Sequence, residues 1–342
     1  MRISGLSRYV LSGCVAVAML AGCGGSRGQT AGSDMIPTSS TTAEGQAQKR
    51  SGSSGDLLYV TTAKGVELVS YPHWQIFATI PGTANGQPCS DPRNGNVFVI
   101  QPYLAQILVY AHGGTTPINT LSAPSPYNEI YSCAVDPETG DLAATGYDSS
   151  LNKGAVLIYA GGQGTPKVYK SAKIRTFYSP AYDGTGNLYI VANANSAFRI
   201  VRLSAKKKQF SFIQFHDNVF LANFQWDGQY FASLDYDGQH KGSTLYQIEI
   251  TGSSAQVINT STLYNTAQVS NFCLAEGSLI GFFGRLKRDN NQALAVWTYP
   301  AGGKDTSRFY GAAKGPGNEL YGLTLSVSPS DKSSWIPKYA VK

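Results

Sequence analysis

Charge is scarce in this chain: Asp, Glu, Lys and Arg make up only 14% of its 342 residues. The basic residues form no long stripe, so the chain carries no nucleic-acid signature. Lys206-Lys207-Lys208 falls in a turn expected on one face and Arg285-Leu286-Lys287-Arg288 in a loop expected on the other. Two such clusters make no common patch, and each reads as a solvated loop. Histidine occurs four times, at His73, His112, His216 and His240, with neither HExxH nor a close pair. The local signatures of zinc, serine and cysteine hydrolases are therefore missing. The match GGSRG at Gly24 to Gly28 lacks the strand before and the helix after that a nucleophile elbow needs. Cysteine is also sparse. Beyond the N-terminal segment only Cys89, Cys133 and Cys273 remain, an odd number without CxxC spacing. Cys89 stands two residues before its repeat aspartate and Cys133 three before its own. Strand alternation would point them to opposite faces unless a bulge intervenes, so small buried thiols are expected.

What is abundant points to β structure. Hydrophobic residues reach 42%, with 37 glycines and 21 tyrosines, distributed in many short apolar runs. The one longer run, Val10 to Leu20, follows Arg2 and Arg8 and precedes Leu20-Ala21-Gly22-Cys23. This is a secretory leader pattern, too short for a stable transmembrane span. LAGC resembles the bacterial lipobox, in which the cysteine is acylated and becomes the mature N-terminus. The expected layout is leader 1–22, lipidated Cys23 with a Gly/Ser/Thr-rich tether through 55, and a folded domain over 56–342. Removing Arg2 and Arg8 lowers the formal net charge from +6 to +4. With no acidic residue after Cys23, an outer-membrane address is expected in a cell that has one.

The folded region repeats. YSCAVDPETGDLAATGY at Tyr131 to Tyr147 is echoed by QPCSDPRNGNVFVI, YSPAYDGTGNLYIV and NFQWDGQYFASL, and in worn form from Asn271 and Leu323. Each copy is a strand ending in an acidic residue, a Gly/Asn/Asp turn and a second strand. Two further short strands follow, such as Gln106 to Ala111 and Pro117 to Leu121. Asp91, Asp136, Asp183, Asp227 and Glu276 mark the repeat at intervals of about 44 to 49 residues, which predicts an all-β propeller of four-stranded antiparallel blades. Five complete sets begin near Gln87, Tyr131, Tyr178, Asn223 and Asn271. The chain enters at Asp56 one strand short, and Tyr321 to Ser328 supplies the missing innermost strand. Six blades result, one closed by both termini, and no sheet edge is left open. Ser333 to Lys342 is then surplus.

The strands GNVFV, GDLAAT and GNLYIV after Asp-led turns resemble NHL repeats and the senescence-marker-protein/gluconolactonase-like propellers. The resemblance runs from Asp56 to about Ile336. It implies the fold; members of that superfamily include lactonases with a channel metal, ligand-binding modules and interaction scaffolds.

The repeat carboxylates read as turn residues that accept backbone N–H bonds. Tyr71, Tyr110, Tyr159 and Tyr299 recur where the third strand ends, a packing position. Ligand candidates lie instead on the face shared by the loops that enter each blade and those joining its second and third strands. There Glu129, Asn223, Asn271 and Glu319 are the candidate ligands of a divalent cation such as calcium, and Asn128, Asp235, Asp237 and Asn318 candidate binding residues. Asp235-Tyr236-Asp237-Gly238 carries a DxDG fragment without the rest of an EF-hand. The expected function is a monomeric, lipid-anchored module of the bacterial envelope, outside the cytoplasm, that holds a small molecule, a glycan or a protein. The alternative is a metal-dependent lactonase or related hydrolase.

Overall fold

The structure, a computed structural model, describes residues 55–82, 85–195, 197–217, 219, 221–235, 243–264, 269–283, 292–311 and 319–329. Cys23, Asp237, Asn318, Arg285 to Arg288 and the segment from Ser333 lie outside them. No α-helix occurs among the described residues.

The chain enters through β1 (Leu57–Thr62), β2 (Gly65–Ser70) and β3 (Gln75–Pro81). A second sheet contains β4 (Cys89–Ser90), β5 (Val97–Gln101), β6 (Gln106–Tyr110) and β7 (Asn119–Ser122), and a third β8 (Glu129–Val135), β9 (Leu142–Asp148), β10 (Lys153–Tyr159) and β11 (Lys167–Tyr169). Three more antiparallel meanders follow. They are β12 (Ile174–Tyr182), β13 (Leu188–Ala194), β14 (Ala197–Leu203) and β15 (Phe210–Phe215); then β16 (Leu221–Trp226), β17 (Phe231–Asp235), β18 (Ser243–Thr251) and β19 (Ser254–Leu263); and then β20 (Val269–Ala275), β21 (Ser278–Phe283), β22 (Ala293–Thr298) and β23 (Gly302–Phe309). The last strand, β24 (Leu320–Ser326), pairs antiparallel with β1, so both ends of the described chain share one sheet.

The register follows the physical logic of the repeat. Second strands such as β1, β9 and β13 are buried along almost their whole length, because neighbouring meanders cover both of their faces; hence their near-continuous apolar runs. Outermost strands such as β11 and β19 expose polar residues.

Two features depart from the expectation. The last three meanders are not separate sheets. Parallel bridges between outermost strands, Gln214 with Ser254, Phe215 with Ala255 and Leu263 with Gly303, join them into one sheet of 12 strands. The cause is β19, whose 10 residues reach the strands on either side. The cysteines also differ: Cys89 and Cys133 form a disulfide with Cα atoms 5.7 Å apart, while Cys273 is a buried free thiol. The bulge that alternation required is present, as a register shift between Ile130 and Cys133 in β8.

Polar side chains then tie neighbouring meanders together near their inner strands. Ser90 Oγ donates to Leu325 O at 2.7 Å, and Thr145 Oγ1 to Tyr178 O at 3.2 Å. Ser179 Oγ accepts from Phe224 N at 2.8 Å. Gln225 donates to Phe272 O at 2.6 Å and accepts from Leu274 N at 3.1 Å. Buried hydroxyls and amides near the axis are thus satisfied across sheets, which a single isolated sheet could not do.

Candidate functional site

The meander divides the loops between two faces. On one lie the turns after the repeat carboxylates, and there the same bond recurs: Oδ1 of Asp91, Asp136, Asp183 and Asp227 accepts the N–H two residues on, at 2.9, 3.0, 2.8 and 2.8 Å. These carboxylates build turns, as their spacing implies. Asp91 is also engaged by Arg93 Nη2 at 2.8 Å.

The opposite face carries the entry loops and the loops between second and third strands. Most of the exposed large apolar side chains found in described loops lie here. Tyr103 is 77% exposed and Leu104 61%, both on the 3-10 turn Pro102–Leu104 between β5 and β6. Leu151 (66%), Tyr264 (53%) and Tyr310 (46%) join them, and so does Phe198 (42%) at the start of β14, whereas Ile118 (59%) stands on the turn side. Tyr178 stacks on Phe198 with ring centroids 5.5 Å apart.

Where β8 begins, Tyr131 donates its hydroxyl to Glu129 Oε2 at 2.7 Å. Burial first, and then this bond, raise the Tyr131 pKa, so the phenol stays protonated and donating. The Tyr131 ring lies 5.6 Å from that of Tyr147, whose hydroxyl donates to Asn152 Oδ1; Arg175 Nε donates to the same oxygen at 2.8 Å. Asn128 closes the entry loop against the neighbouring one, donating to Ser149 Oγ at 2.7 Å and accepting from Ser149 N at 3.0 Å. Asp148 Oδ1 accepts from the Ser150 hydroxyl at 2.6 Å, the main cause of its lowered pKa. Where β24 begins, burial first and the neighbouring Glu319 charge next raise the Tyr321 pKa.

The other candidates are differently employed. Asn223, in the left-handed region at φ 47°, donates to Ser270 O at 2.8 Å in the following meander. Asn271 donates to Tyr321 O at 3.5 Å and accepts from Phe272 N at 2.8 Å. Asp235 ends β17 opposite Leu221. Among the described residues no three His, Cys, Asp or Glu side chains gather where they could hold a metal ion. Residue-by-residue reading missed the tyrosines beside the carboxylates. A signal was available: Asn128-Glu129-Ile130-Tyr131 and Asn318-Glu319-Leu320-Tyr321 share one pattern.

The chain matches no protein-family model and no curated protein. Solved structures do resemble it. A chain of a nidogen/laminin complex superposes with TM-score 0.59 at 13% identity, covering 80% of this chain and 99% of that one. A protein of unknown function from Bacteroides caccae gives 0.55 at 13%, again covering 80% and 99%. A putative TolB from Agrobacterium tumefaciens gives 0.52 at 12%, covering 76% and 91%. Identities this low speak for architecture alone. Together with the repeated antiparallel meanders, they establish that the chain folds as a β-propeller.

Proposed function

We propose that this β-propeller is a binding or scaffold module of the bacterial envelope, presenting its loop face to a ligand. The observation that carries the reading is the concentration of exposed aromatic and apolar side chains on that face, among them Tyr103, Leu104, Leu151 and Phe198. A monomeric surface keeps such groups together at the cost of exposed apolar area, as binding faces do. In this reading the propeller has six blades. The pairing of β1 with β24 and the polar links between successive meanders support that count and its closure.

Acylation at Cys23 would anchor the chain, and the Gly/Ser-rich tether would hold the propeller off the membrane. The disulfide between Cys89 and Cys133 supports an extracytoplasmic address, since such bonds persist in oxidising compartments. Cys23→Ala should release the protein from membrane fractions; unchanged retention would remove the anchor.

The loop face is tested by placing a photo-crosslinking residue at Tyr103 or at Ile118 in intact cells. Adducts from Tyr103 alone are expected, and equal yields from both positions would overturn the assignment. Thermal unfolding of the full chain with EDTA and then calcium separates a metal hydrolase from this module. A native-state ion at a hundredfold excess over Kd would stabilise by about 2.7 kcal/mol. A calcium-dependent rise of the midpoint would favour the hydrolase.

A further inference from the structure

We propose that His112 is a proton-controlled clasp on the seam where β1 meets β24: its charged imidazole fastens Gly55 and the end of β24 to the second meander, and its neutral form lets Gly55 go. The clasp is independent of whatever the loop face binds. At this end the seam is formed by the pair Leu57 and Ser326. His112 follows β6 and stands there half-buried. Its Nδ1 lies 2.7 Å from Ser326 Oγ, and its Nε2 lies 3.2 Å from Gly55 O. Ser326 is fully buried, with its hydroxyl 2.6 Å from Gly95 O in the turn between β4 and β5. That turn is seated tightly, since a Cβ on Gly95 would lie 2.6 Å from Val327 O and 3.1 Å from His112 Cβ. The ring is thus held where two sheets meet.

The protons can be counted. A carbonyl oxygen only accepts, so the Ser326 hydroxyl gives its single proton to Gly95 O. It then accepts from Nδ1, which must carry a hydrogen. Gly55 O also only accepts, so Nε2 must carry one too. All three contacts are hydrogen bonds only when the imidazole is the cation. Loss of the Nε2 proton to solvent turns a lone pair toward the Gly55 carbonyl. A charge-assisted bond becomes a repulsion, while the Nδ1 bond to Ser326 remains.

The charged and titratable groups on the surrounding elements, among the described residues, are few. Asp56 follows Gly55, and its Oδ1 accepts from Ser328 N at 3.0 Å. Asp91 and Arg93 pair on the turn that carries Gly95. The Tyr59 hydroxyl donates to Ala111 O and accepts from Gly113 N, on either side of His112. Burial raises the Tyr59 and Tyr110 phenols, so both stay protonated where an imidazole titrates. Folding therefore selects the charged ring. Its contribution is complete below about pH 6.5, where an unfolded histidine is already protonated, and is lost as pH rises through the value at which the folded ring gives up its proton.

The test is nitrogen-15 imidazole spectroscopy of the full-length protein in detergent from about pH 5 to 8, with His112→Gln to assign the signal. Both ring nitrogens should be protonated at the acid end. The neutral ring should then keep its proton on Nδ1, against the Nε2 preference of free histidine. Amide exchange in β1 and β24, corrected for intrinsic rates, should report seam opening about tenfold more frequent at the alkaline end, as expected for loss of a bond to a charged group. His112→Gln should abolish that pH dependence, and Ser326→Ala should abolish the Nδ1 preference. His73→Gln, on the turn between β2 and β3, should change neither. A neutral ring protonated on Nε2, equal seam protection across the range in the parent protein, or undiminished pH dependence in His112→Gln would overturn the proposal. The first two readouts use the parent chain alone, so they decide the matter even where a variant fails to fold.

Discussion

The hydroxyl of Tyr299 donates a 2.6 Å hydrogen bond to Oδ2 of Asp227, 72 positions earlier in the chain. Gln247 Nε2 reaches the same two oxygens, at 3.1 Å from Asp227 Oδ2 and 3.2 Å from the Tyr299 hydroxyl. Meanwhile Asp227 Oδ1 holds its own turn through Gln229 N and Tyr230 N. One carboxylate therefore shapes a local turn and ties two successive meanders together.

Removing that tie should cost stability. Tyr299→Phe and Asp227→Asn are each expected to lower the unfolding free energy by about 1.5 to 3 kcal/mol, the range for bonds to a charged group. In a double-mutant cycle by urea unfolding the two losses should couple. Strict additivity would mean the bond contributes nothing beyond its separate partners.

The disulfide closes a loop with a sequence separation of 44. Cross-linking a loop of that size restricts the unfolded chain, so reduction or Cys89→Ala/Cys133→Ala should destabilise by about 2 to 4 kcal/mol. Urea midpoints with and without reductant would measure this. Cys273, buried and with its thiol pKa pushed up by burial, should react with thiol reagents only on unfolding. Reaction of Cys273 in the native state would contradict its placement.

Alkali should unfold the protein through its tyrosines. Burial pushes Tyr59 up to about 12, with the Gly113 N–H acting in the opposite sense. Burial likewise raises Tyr110, Tyr159 and Tyr182. An unfolded tyrosine ionises near pH ~10, so the unfolded state loses these protons first. The stabilisation is complete below about pH 10 and is lost as pH rises toward the folded-state value. Phenolate absorbance and far-UV circular dichroism should change together. Ionisation near pH 10 with an unchanged dichroism spectrum would refute the argument.

Phe231 is the centre of an aromatic cluster between the β12–β15 and β16–β19 meanders. Its ring lies 4.7 Å from Phe224 and 4.8 Å from both Tyr189 and Trp226. Phe231→Ala should cost about 3 to 5 kcal/mol, since stacked neighbours cannot collapse into the void. Phe231→Leu should cost less. A red shift of Trp226 emission in the alanine variant would report the opened cluster. Equal stability of both variants would show that packing there is loose.

Much of the fold was legible in the chain because its signals are local and repeated. The Asp-led turns at Asp91, Asp136, Asp183 and Asp227 have the backbone bonds that an Asx turn requires. The pairing of the last strand with the first was also readable, since a repeat one strand short at its start must be completed from its end. The candidate site was legible only in part. Glu129 and Glu319 were found as polar residues opening innermost strands, but their tyrosines were not, because alternation places a side chain on a face without naming its partner. Asn223 and Asn271 were picked out by residue type as oxygen donors, and what the sequence did not show is that the amide nitrogen of each donates to a backbone carbonyl in the following meander.

Composition, the repeat period and turn chemistry by themselves determined an all-β repeat of four-stranded units, because strand alternation and Asx turns depend on residues a few positions apart. Tertiary structure alone decided that Cys89 bonds Cys133, that β19 bridges its neighbours, and that the Tyr299 hydroxyl meets Asp227. Those relationships join residues from different units. They depend on bulges, on strand length and on the angle at which sheets pack, which no local run of residues encodes.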